Sequence, residues 1–87
     1  MRLDKYLKVS RLIKRRTVAN EACDAGRVSV NGKVARASYD IKIGDKVDIV
    51  FGQKKISFVV RSVNEYATKD NASEMYEITG ESSVAEE

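Results

Sequence analysis

The spacing of apolar residues changes at Gly26, and that change restricts the chain to an α+β fold with its helices first. Before Gly26, Leu3, Tyr6 and Leu7 recur at helical intervals over residues 2–9. A second helix is predicted from Arg16 or Thr17 to Ala25, with Val18, Ala19, Ala22 and Cys23 on its buried side. Gly26 then takes the left-handed position that ends many helices. After it, Val28 and Val30 alternate with polar residues and lead into Asn31-Gly32, a pair suited to the two positive-φ positions of a type I′ hairpin turn. Gly44-Asp45 and Gly52-Gln53-Lys54 mark further turns around strands at Lys46–Phe51 and Lys55–Val63.

Residues 64–73 are polar and loop-like, and Ala72 to Ile78 reads as one helical turn and a short strand, with Met75, Tyr76 and Ile78 docking on the sheet. The expected architecture is two N-terminal helices packed on a small antiparallel sheet with a short C-terminal extension. Residues 1–63 form the domain and its sheet, 64–79 the extension, and 80–87 an acidic, disordered tail.

An 87-residue chain can bury one modest core, and this one has a single cysteine and no histidine. The commonest general base and the commonest transition-metal ligand are therefore missing. Asp40, Asp45 and Asp48 are spaced for turn chemistry and solvation. Cys23 reads as a small buried hydrophobe, and Gly44 and Gly52 are isolated glycines. No apolar run approaches a membrane span, and charges interrupt the N-terminus too often for a signal peptide. These features lead to the expectation of a cytoplasmic, non-enzymatic protein with no cofactor, no metal, no membrane partner and a monomeric state.

Charge supplies the positive signal. The first sixteen residues hold Arg2, Lys5, Lys8, Arg11, Lys14, Arg15 and Arg16 against one acid, Asp4, which is spaced to pair with Lys8 across one turn. Residues 1–36 carry ten Lys/Arg and three Asp/Glu, whereas 37–87 carry six and ten. Such asymmetry points to a polyanion docking at one end. A plain solvated face is the alternative. Against it, the cations converge where the first helix ends and the second begins, and arginine favours bidentate phosphate contacts. The first amides of the second helix add a favourable field there.

Glu21 and Asp24, with Asn20, occupy the second helix's polar side and disfavour insertion into a DNA groove. Among Tyr6, Tyr39, Tyr66, Tyr76, Phe51 and Phe58 most read as core, so single-strand stacking is not indicated. Recognition of structured RNA by shape and backbone fits best. Arg2, Lys5, Arg11, Lys14, Arg15 and Arg16 are the candidate phosphate contacts, with Arg16 first. Lys33 either extends the footprint or merely solubilises its hairpin. Asn31, Gly32, Gly44 and Asp45 are read as structural.

Arg2-Leu3-Asp4-Lys5-Tyr6-Leu7, Arg16-x-x-Ala19, Gly26-Arg27-Val28-Ser29-Val30-Asn31-Gly32-Lys33 and Gly44-Asp45 together resemble the RNA-binding domain first defined in small-subunit ribosomal protein S-four, also called the alpha-L motif. The likeness covers roughly residues 1–50. It implies two helices on a small sheet that bind structured rRNA through the helix corner. The family usually has Ser or Thr where Arg15 stands, which removes a side-chain N-cap there and leaves Thr17 as the alternative cap.

Over its whole length the chain is similar to short stand-alone factors of bacterial ribosome quality control, and more distantly to the fifteen-kilodalton heat-shock protein. The resemblance implies binding to an obstructed large ribosomal subunit through 23S rRNA and peptidyl-tRNA. It also implies assistance to an RqcH-type tailing factor that adds alanine to the stalled chain. Heat-shock-type subunit rescue, an accessory module of an rRNA-modifying enzyme, and a protein-interaction module using the acidic half are the alternatives. The start at Met1 and the acidic ending favour a stand-alone protein over the accessory module.

Overall fold

The computed structural model describes residues 1–63 and 71–83. Helix α1 (Leu3–Val9) buries Leu3, Tyr6 and Leu7, the stripe that its spacing predicts. Helix α2 (Arg16–Asp24) buries Ala19 and Cys23, with Ala22 half-buried. Val18, expected inside, is exposed. Adjacent residues lie about 100° apart around a helix, so a helix resting on Ala19 and Cys23 turns Val18 outward. Helix α2 ends as its glycine predicts. Gly26 has φ +75°, its amide donates to the Cys23 carbonyl at 3.0 Å, and the Arg27 amide donates to the Ala22 carbonyl at 2.9 Å. Those two bonds form a Schellman cap.

Five antiparallel strands follow in the spatial order β2-β1-β3-β4-β5. They are β1 (Val28–Val30), β2 (Lys33–Val34), β3 (Lys46–Phe51), β4 (Lys54–Val60) and β5 (Tyr76–Ser83). Asn31 and Gly32 join β1 to β2 with φ of 53° and 86°, as a type I′ turn requires. Val28, Val30, Val47, Ile49, Phe58 and Val60 are buried in one core with Leu3, Tyr6 and Leu7. The molecule is α+β, two helices on one antiparallel sheet.

A single 3₁₀ turn (Ala72–Met75) leads into β5. The Tyr6 hydroxyl donates to the Met75 carbonyl at 2.7 Å, tying α1 to this C-terminal segment. Phe58 stacks on Tyr6 at 6.3 Å between ring centres and meets Tyr76 edge-on at 5.7 Å. Ile78, expected to dock, is exposed. Strand β4 stops at Val60 and not at Val63, because the Arg61 and Ser62 amides turn to the Met75 carbonyl at 2.7 and 3.1 Å. Strand β5 runs to Ser83, with Gly80 opposite Ser57 and Ser83 opposite Lys54, so the stretch expected as a disordered tail begins inside the sheet. Residues 64–70 of the expected loop and 84–87 of the expected tail lie outside the described residues.

Candidate nucleic-acid interface

The N-terminal cations are organised by one acid. Asp4 sits in the first turn of α1 and is 2% exposed. A carboxylate removed from water needs several donors to remain ionised. Arg2 reaches it with Nε at 3.2 Å and Nη2 at 3.4 Å. Arg16, from the first position of α2, reaches it with Nε at 3.4 Å and Nη2 at 3.5 Å. The Asn20 side-chain amide donates at 3.3 Å and the Lys5 backbone amide at 2.8 Å. Burial opposes the charge, but the hydrogen bonds from Asn20, Arg16, Arg2 and the Lys5 amide outweigh it and hold the carboxyl below its ordinary range.

The pairing of Asp4 with Lys8 predicted from spacing does not form. An exposed pair one turn apart contributes only a few tenths of a kcal/mol, while the buried carboxylate gathers four donor groups. Asn20 lies four residues after Arg16 on the same helical face and so reaches the same carboxylate. That spacing was the available signal for a residue read only as part of a polar face.

Asp4 thus does two things. It brings Arg2 and Arg16 together from different elements, and it fixes each guanidinium by Nε and one terminal nitrogen. The Arg2 and Arg16 side chains stay 51% and 47% exposed, with their other N–H groups on the fork still to be matched. Two positive charges against one negative leave the site cationic. Asp4, Arg16, Thr17, Asn20 and Glu21 line a shallow recess of about 390 Å³ beside it.

The other candidates lie on α1, along the connector to α2 and on β2. Lys5 is half-buried on α1, and Arg11, Lys14 and Arg15 are exposed along the connector to α2. Arg11 occupies a left-handed conformation with φ 64°, the geometry glycine usually supplies after a helix. Arg15 is the N-cap residue of α2 and makes no side-chain cap; Thr17 falls inside the helix, so neither alternative caps it. Lys33 is exposed at the start of β2.

Asn31 and Asp45 are tied together, as their structural reading requires. The Asn31 side chain donates to Asp45 at 3.1 Å and accepts from the Lys46 amide at 3.0 Å. Asp45 also accepts from the Lys42 amide at 2.9 Å and the Tyr39 hydroxyl at 3.5 Å. Cys23 is buried, and burial first, with the charges of Asp4 and Asp24, pushes its thiol up to about 11. At neutral pH it is a thiol and a poor nucleophile. No group of His, Cys, Asp and Glu fit to hold a metal, and no helix able to cross a membrane, occurs among the described residues.

Comparison with known proteins places this geometry in a family. Residues 1–47 match the S4 domain family. The chain is 52% identical to the RQC P-site tRNA stabilizing factor of Streptococcus pneumoniae over 99% of this chain and 98% of that one. It is 50% identical to the protein of the same name from Bacillus subtilis over 99% and 100%. Among solved structures it resembles Heat Shock Protein 15 of Vibrio cholerae, with a TM-score of 0.85 and 26% identity across 91% of this chain and 81% of that one. The chain therefore belongs to the S4 domain family, in the group of the RQC P-site tRNA stabilizing factors.

Proposed function

We propose that this chain is a non-enzymatic factor of ribosome quality control. It binds an obstructed large ribosomal subunit that carries peptidyl-tRNA and assists alanine tailing of the stalled chain by an RqcH-type factor. The observation that carries the reading is the Asp4-centred pair of Arg2 and Arg16, two half-exposed guanidinium groups fixed at one point. Preset forks of this kind suit bidentate contact with phosphate. The names of the relatives supply the setting, a P-site tRNA stabilised during quality control. Arg2 and Arg16 form the centre of the footprint on 23S rRNA or tRNA, Lys5, Arg11, Lys14 and Arg15 broaden it, and Lys33 marks its outlying edge.

The test is binding of the tagged chain to large subunits loaded with peptidyl-tRNA. Arg16→Ala should weaken binding about tenfold, the scale of one charge-assisted contact, and lower stability by about 1–2 kcal/mol, since it removes one of the donors of a buried carboxylate. The log–log salt slope of the wild type should lie between roughly −3 and −6, for about four to eight neutralised phosphates. Equal binding by Arg16→Ala, or a flat salt response, contradicts the assignment. The likeness to Heat Shock Protein 15 supports a second reading, subunit rescue without tailing. Alanine tails that disappear when the chain is removed and return when it is restored separate the two.

A further inference from the structure

A second surface lies beside the corner and is not explained by it. Val30, Lys33, Val34, Ala35, Arg36 and Tyr39 line an open groove of about 640 Å³, within the roughly 300–1,000 Å³ of small-ligand clefts. Val30 and Ala35 are buried and give it an apolar floor, whereas Val34 is 65% and Tyr39 37% exposed. Tyr39 therefore stands outside the aromatic core of Tyr6, Phe58 and Tyr76. Lys33 and Arg36 are exposed and make no ion pair among the described residues. The nearby carboxylates are already engaged. Asp40 pairs with the N-terminal ammonium at 2.8 Å, and Asp45 holds Asn31, Lys42 and Tyr39. The segment that lines the groove is bonded to the start of α1, since the Leu3 amide donates to the Tyr39 carbonyl at 2.8 Å and the Asp4 amide to the Ala37 carbonyl at 3.1 Å.

We propose that this groove takes one unpaired nucleotide of the bound RNA, its base against Tyr39 and Val34 and its flanking phosphates on Lys33 and Arg36. The inference rests on the reading of the corner as an RNA surface and extends it from backbone to base. An aromatic wall with a cationic rim is the composition of single-strand sites, where every base offers a π-face and the backbone needs cations. The Tyr39 hydroxyl bond to Asp45 holds the ring at the groove wall. Two unmatched cations beside a basic corner favour this polyanion over an apolar peptide.

The experiment uses the full chain with two probes: a short oligouridylate carrying one 2-aminopurine, and a blunt RNA duplex with no unpaired nucleotide. The wild type should quench the 2-aminopurine. Tyr39→Ala should lose the quenching and weaken single-strand binding about five- to a hundredfold, the range of one lost base–aromatic stack. Tyr39→Phe should restore most of both, because the ring remains although its bond to Asp45 is lost. Lys33→Ala and Arg36→Ala should each make the single-strand salt slope shallower by about 0.7. Duplex binding should respond to Arg16→Ala and not to Tyr39→Ala, which separates failure of the groove from failure of the corner. Unchanged quenching and affinity in Tyr39→Ala would overturn the proposal. So would a photocrosslinker at Val34 that, on large subunits, captures protein and no RNA.

Discussion

Asp4 and Asp45 each hold a corner of this molecule together, with opposite consequences for its surface. Asp4 is buried and collects two guanidinium groups and an amide side chain, so its corner presents fixed positive charge. Asp45 is half-buried and collects a backbone amide, an amide side chain and a phenol, all neutral. One carboxylate gathers two cations at the proposed RNA surface; the other holds a turn together. The identity of the donors, more than the acid itself, decides whether such a cluster is cationic or neutral.

The largest expected effect probes the scaffold side. Asn31 combines a left-handed backbone with hydrogen bonds to Asp45 and Lys46. Asn31→Ala should cost about 2–3 kcal/mol, from strain and lost bonds together. Asn31→Gly relieves the strain and should cost about 1 kcal/mol. Both are read by denaturant unfolding, and neither should change Arg16-dependent binding per folded molecule. Loss of that dependence would merge two corners described here as separate.

The next prediction concerns Asp4 and pH. Asp4→Asn should cost about 1–3 kcal/mol at pH 7, the scale of hydrogen bonds to a charged group. The folded carboxyl lies below its ordinary range, so its contribution is present above the unfolded value of about 3.9 and is lost as pH falls through the lower folded value. The gap between wild-type and Asp4→Asn stability should therefore narrow below about pH 5. A constant gap down to pH 2 would mean that the carboxylate charge contributes nothing.

The smallest effect belongs to Arg11, whose left-handed φ of 64° suits glycine better. Arg11→Gly should stabilise the fold by about 0.5–1 kcal/mol. It should also make the RNA salt slope shallower by about 0.7. A gain in stability with an unchanged slope would remove Arg11 from the interface.

What could be read from the sequence was whatever a few adjacent residues decide. The Leu3-Tyr6-Leu7 stripe, the Gly26 stop and the Asn31-Gly32 turn need no distant partner, and each appears where its chemistry places it. Spacing within α1 offers Asp4 only Lys8, whereas its partners Arg16 and Asn20 come from another helix. Val18 and Ile78 are apolar residues that tertiary packing leaves outside, and Arg11 takes a glycine conformation that its side chain does not announce. The sequence does not single out Tyr39 among the aromatics, because composition cannot tell a buried ring from one on a groove wall. The cationic character of the corner was legible; its arrangement around a single buried acid was not.

The proposed RNA site depends on the arrangement of its cations as well as on net charge. Asp4→Asn separates the two, since it removes a negative charge from beneath Arg2 and Arg16 and takes from each one of its two oxygen acceptors. Measured on large subunits carrying peptidyl-tRNA at physiological salt, Asp4→Asn should bind about tenfold more weakly than wild type despite its more positive surface. Equal or tighter binding by folded Asp4→Asn would show that charge alone suffices and would contradict the account.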